Sequence, residues 1–131
     1  MKRHDIGPRM IGGHLAYHRA VVVEEPRRWL LLSGHEARDE EGRIAHRGDI
    51  RGQIELTCRR LGETLAEAGF EFSDVVQIRV FTVDLPAMTA NYDALTTELE
   101  RRGCRPTSLL AGVDALSDPD MLVEIEAVAA Q

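Results

Sequence analysis

The sequence predicts an α+β fold: a mixed β-sheet with two helices on one face. Three observations lead there. The chain has 131 residues, a usual length for one domain. Apolar residues recur at spacings of three and four in two segments, which marks two amphipathic helices. The remaining apolar runs are short, β-branched and bounded by turn residues, as strands are.

The elements follow in order. Residues 1–15 read as an approach segment, with Gly12-Gly13 as a flexible link into the first strand. Ala20-Val21-Val22-Val23 and Trp29-Leu30-Leu31-Leu32-Ser33 flank the polar turn Glu24–Arg28, which predicts a hairpin. The charged stretch from Gly34 to Gly48 is loop chemistry. A first helix is expected from about Asp49 to Ala68, since Ile50, Ile54, Cys58, Leu61, Leu65 and Ala68 share one face. Asp49 suits its N-cap and Gly69 the position after its end. A strand follows over 75–83, with Val76, Ile78 and Val80 on one face and Val75, Gln77, Arg79, Phe81 and Val83 on the other. Met88, Tyr92, Leu95 and Leu99 are the stripe of a second helix that begins after Asp84-Leu85-Pro86 and ends at Gly103. Strands over 107–113 and 121–129 close the chain. In the last of them, Met121, Val123, Ile125, Ala127 and Ala129 face one way.

Two helices cover only one face of such a sheet. The other face keeps Leu122, Glu124, Glu126 and Val128 together with residues of the middle strand, half apolar and half charged. Contiguous apolar surface of this kind marks association, and a second copy is the simplest cover. Arg79 is a candidate ion-pair partner for a glutamate of the last strand.

Composition narrows the function classes. The net charge of −6 argues against nucleic acid as the main partner. Fifteen of the sixteen basic residues are arginines, which suit carboxylate and phosphate ligands, although a GC-rich genome produces the same bias. No stretch approaches the roughly 20 apolar residues of a membrane span, and Met1–Asp5 precedes no apolar signal region. A cytoplasmic protein with free thiols is expected. Cys58 reads as core, while Cys104, after Gly103, is the more exposed thiol. The five histidines show no metal-binding spacing, so neither metal nor cofactor is expected.

Five segments in order resemble one family. They are Ala16-Tyr17-His18-Arg19-Ala20-Val21, Leu32-Ser33-Gly34-His35, Val80-Phe81-Thr82-Val83-Asp84-Leu85, Asn91-Tyr92-Asp93-Ala94 and Glu124-Ile125-Glu126-Ala127. Together they resemble the Rid family, known from its imine and enamine deaminases, over about residues 16–130. The resemblance implies a chorismate-mutase-like (Rid-type) fold. It also implies a homotrimer whose sheets close into a barrel, with small-molecule clefts between neighbours. In the deaminases an arginine at the fifth strand clamps the substrate carboxylate, and a glutamate of the last strand helps to place the attacking water.

This chain departs from that pattern at the clamp. Ser108 stands where the arginine is expected, and Arg105 lies three residues earlier, roughly 10 Å along an extended strand. A serine hydrogen-bonds but cannot neutralise a carboxylate. The resemblance makes Glu124 the catalytic candidate. It gives Tyr17, Ser33, Gly34, Ser108 and Leu110 as candidate substrate contacts. His35, in place of a glutamine, is a second catalytic candidate, because imidazole and carboxylate together perform acid–base chemistry near neutral pH. Its other reading is a hydrogen-bonded structural residue.

Two functions are compatible with these residues. One is hydrolase or deaminase-type chemistry on an imine, enamine or related nitrogen compound other than the usual 2-imino acids. The alternative is a non-catalytic trimeric ligand-binding or protein-interaction module. The acidic balance gives no support to the RNA cleavage attributed to some family members.

Overall fold

Every second residue of the last strand is buried, from Val123 through Ile125 and Ala127 to Ala129, and these residues centre the core. The computed structural model describes all of residues 1–131. Its elements run β1 (Lys2–Ile11), β2 (His14–Glu24), β3 (Trp29–His35), α1 (Ile50–Glu67), β4 (Val75–Thr82), α2 (Leu85–Ala90), α3 (Tyr92–Arg101), β5 (Thr107–Gly112) and β6 (Val123–Ala130). The main sheet has the order β3-β6-β4-β5, antiparallel except for the β4–β5 pair. The fold is the expected mixed-sheet α+β class. No helix is long and apolar enough to cross a membrane.

The helices form for the anticipated reasons. Asp49 caps α1 by accepting from the Gly52 amide, and Ile54, Cys58, Leu61 and Leu65 bury its stripe against the sheet. Asp84 caps α2 through the Ala87 amide, and Pro86 sits in its first turn. The second helix is two pieces, because the chain breaks at Asn91, whose side chain donates to the Ala87 carbonyl. Met88, Leu95 and Leu99 of the stripe are buried.

Four further expectations are corrected. The hairpin joins β1 to β2, not β2 to β3; β3 pairs with β6 instead. Gly12 and Gly13 have φ of +58° and +81°, the conformation of a tight hairpin turn, so residues 2–11 are a strand rather than an approach segment. Val75 joins the core, because a bulge between Val75 and Gln77 shifts the face of the strand start. Cys104 is as buried as Cys58. Burial pushes both thiols up to about 12, so neither is reactive at neutral pH.

The sheet's second face is bare in the single chain. Leu31 and Leu109 are 76% and 51% exposed there. Between them Arg79 pairs with Glu126, which stands opposite it in the β4–β6 ladder.

Candidate functional site

Glu124 lies on that bare face, near the start of β6. Its neighbour across the ladder is β3, where the register slips by one residue between Leu32 and His35. This bulge carries Ser33 and Gly34. Bulges re-aim side chains and cluster next to functional sites. Gly34 supplies the room: a methyl group there would stand 2.6 Å from Cδ of Glu124. The carboxylate therefore rests against the Gly34 backbone.

Other charges nearby are already matched. Arg38 Nε donates to Glu36 at 2.7 Å, its Nη1 donates to the Gly42 carbonyl, and Arg79 holds Glu126. Glu124 has neither an ion-pair nor a hydrogen-bond partner among the side chains. Burial raises its pKa above the ordinary carboxylate value, and the negative charges of Glu36 and Glu126 raise it further; Arg38 and His35 oppose them. A carboxyl so tuned holds its proton to higher pH than an ordinary carboxylate does.

His35 closes the bulge. Its Nδ1 donates to the Ser33 carbonyl at 2.7 Å, and Nε2 lies 2.8 Å from the Thr64 hydroxyl on α1. Both ring nitrogens are thus occupied within the chain. Glu36 and Arg38, in the loop just after the Ser33-Gly34 turn, bring their charges close enough to act on Glu124, which their position in the sequence alone does not reveal.

The other candidates assemble elsewhere. Tyr17 of β2, Ser108 and Leu110 of β5, and Thr89 and Tyr92 of the helical layer line a cavity of about 400 Å3 with Ile11. Ser108 pairs with the buried Ile78, so it points to the helix side of the sheet, while Glu124 points to the opposite face. One chain therefore carries the candidate residues in two groups on opposite faces of the sheet: Ser33, Gly34 and Glu124 on the bare side, and Tyr17, Ser108 and Leu110 on the helix side, toward which His35 also turns its ring.

Arg105 does not reach either half. Its guanidinium pairs with Asp5 at 3.0 Å, and its carbonyl accepts from Arg3 and faces His18. Arg19 packs over Gly7 of β1.

Fold and the two residue groups define a small α+β protein with helices on one sheet face and an unpaired carboxylate on the other. A family model described as Endoribonuclease L-PSP matches residues 11–131, and the chain belongs to that family, which its structural relatives name the Rid or YjgF/YER057c/UK114 family. A Rid-family protein of unknown function, YyfB from Yersinia pestis, is 28% identical with a TM-score of 0.80, and the match covers 100% of both chains. Rv2704 of Mycobacterium tuberculosis is 25% identical over 99% of this chain and 100% of its own, with a TM-score of 0.65. TdcF of E. coli, solved with bound serine, shares the fold at 23% identity and a TM-score of 0.72, covering 95% and 93%. A search of curated proteins found no match.

Proposed function

We propose that the protein is a Rid-like homotrimer whose inter-subunit cleft performs acid–base hydrolysis of an imine, enamine or related nitrogen compound, other than the usual 2-imino acids. The observation that carries this reading is Glu124: an unpaired carboxylate, raised in pKa, lying over a glycine in a bulge. As water adds to the imine carbon, Glu124 takes one of its protons. It then returns the proton to nitrogen, and collapse of the carbinolamine releases the carbonyl compound and ammonia. His35 serves here as a positioning residue that locks the bulge to α1 rather than as the proton carrier, a role its two occupied nitrogens support.

Two features support assembly. The bare sheet face combines Leu31 and Leu109 with the Arg79–Glu126 pair, a surface suited to a further copy. The two residue groups also lie on opposite faces, so a cleft holding both needs two copies. Ser108 in place of a cation supports the exclusion of carboxylate substrates. The net charge of −6 weighs against the nuclease activity that the family description carries.

The test uses imines generated in situ by oxidases, one set from amino acids and one from a neutral amine. Faster hydrolysis of the neutral imine, lost in Glu124→Ala, is expected. No acceleration with either, and a Glu124→Ala protein that behaves like the parent, would establish the non-catalytic binding module instead.

A further inference from the structure

Two glutamates face each other where β3 leaves the sheet. His35 pairs with Ile125, and one step further along this antiparallel ladder Glu36 stands opposite Glu124. Like charges so placed are destabilising. The chain nevertheless sets a cation beside only one of them. A three-residue turn, closed by the Arg38 amide donating to the Glu36 carbonyl at 2.9 Å, buries Ala37 and brings the two flanking side chains together. Arg38 Nε donates to Oε1 of Glu36 at 2.7 Å, and Nη1 donates to the Gly42 carbonyl at 2.8 Å. Both bonds hold the guanidinium on its own loop. Glu124 is left without an ion-pair partner, although it and Arg38 are close enough for their charges to act on each other.

We propose that Glu36 is a positioning residue for Glu124: by holding Arg38 on the loop it keeps the guanidinium off the reacting carboxylate, which stays free to take a proton from the attacking water. The role in that step rests on the hydrolase reading. A carboxylate paired with a guanidinium is the weaker base, because the cation favours the ionised form. A general base works best when its pKa lies near the working pH. Burial, and then the negative charges of Glu36 and Glu126, move Glu124 in that direction against Arg38 and His35. The other groups around it are committed. Arg79 of β4 is held by Glu126, and both nitrogens of His35 are bonded. Asp118, in the loop before β6, adds a negative charge on the side of Arg38. Arg38 is thus the cation that loss of Glu36 would release towards Glu124. The loop keeps its backbone anchors when either side chain changes, since Arg60 Nε donates to the Arg38 carbonyl at 3.0 Å and Arg38 bridges to Ile44.

The experiment compares Glu36→Ala, Glu36→Asp and Arg38→Gln with the parent in two ways. One is the pH–rate profile for hydrolysis of the neutral imine. The other is the titration of carbon-13-labelled glutamate carboxyls by NMR, in which Glu124→Gln assigns the Glu124 signal. Glu36→Ala is expected to move the Glu124 midpoint and the rising limb of the rate to lower pH, and to lower the plateau about tenfold. Arg38→Gln is expected to move both to higher pH. Glu36→Asp is expected to restore the parent profile, because Asp5 holds Arg3 at the same two-residue spacing at 2.8 Å. A merely structural Glu36 would lower the rate and move neither midpoint. An unmoved Glu124 midpoint in Glu36→Ala, or shifts of the same sign in Glu36→Ala and Arg38→Gln, would overturn the proposal. Opposite shifts in a protein that hydrolyses no imine would keep the restraint of Arg38 by Glu36 and reject the hydrolase reading. Imine hydrolysis with an unmoved midpoint would do the reverse.

Discussion

Glu124 rests its carboxylate against the backbone of Gly34, where a methyl group would stand 2.6 Å from Cδ. The contact joins two strands at the only slip in their register. Gly34→Ala is therefore expected to displace the carboxylate while leaving the fold intact, because the atoms that must move end a flexible side chain. A misplacement of about 1 Å costs on the order of a hundredfold in rate. Hydrolysis of the neutral imine should fall by about that factor with little change in melting temperature.

The same carboxyl should make the protein less stable as pH rises. Its folded pKa lies above its unfolded one, through burial first and then through Glu36 and Glu126, against Arg38 and His35. The folded state then binds more protons, so the stabilisation is complete below the ordinary carboxylate value and is lost as pH rises through the raised value. Glu124→Gln is expected to melt higher than the parent at pH 8 and to match it at pH 4. Thermal scans across that range check this, and a parent that melts higher than Glu124→Gln at pH 8 would refute it.

Asp5 should behave oppositely. Burial pushes its pKa up, but hydrogen bonding and charge from Arg3, with Arg105 and His18 behind them, hold it below the ordinary value. Its stabilisation is present above the unfolded value and is lost as pH falls through the lowered one. Asp5 is largely buried between Arg3 at 2.8 Å and Arg105 at 3.0 Å, and Arg3 also donates to the Val75 carbonyl. Asp5→Asn is expected to cost about 1.5–3 kcal/mol at neutral pH, measured by denaturant titration.

His35→Ala removes the ties to Ser33 and Thr64. The expected result is a loss of about 1–3 kcal/mol of stability. If His35 only positions the bulge, the pH–rate profile measured for imine hydrolysis keeps its shape in the variant and only its height falls. Loss of one limb would make the imidazole a proton carrier.

Leu31, 76% exposed on the bare face, tests assembly. The parent is expected to elute at the mass of three chains by light scattering. Leu31→Asp places a charge on that face and is expected to give monomers with no imine hydrolysis.

The helices were legible because each is decided locally. Asp49 and Asp84 cap the amides that follow them, and the stripes of Ile54 to Leu65 and Met88 to Leu99 repeat at the helical period. The alternation of β6 was equally plain, and Arg79 was a candidate ion-pair partner for a glutamate of that strand, which proved to be Glu126. The pairing of β1 with β2 was not legible. Gly12-Gly13 marks a turn, but which strand takes the far side depends on contacts distant in sequence. The burial of Cys104 and the face of Val75 were hidden for the same reason.

The chain's own residues determined which chemical groups are available: a carboxylate at 124, a glycine at 34, a hydroxyl rather than a cation at 108. Tertiary structure alone decided their company. A one-residue bulge laid Glu124 over Gly34 and tied both nitrogens of His35, while the parallel pairing of β5 with β4 turned Ser108 to the other face among uncharged hydroxyls. Side-chain identity is local, whereas register and face are set by pairing between strands far apart in the chain, and a shift of one residue turns every side chain to the opposite side.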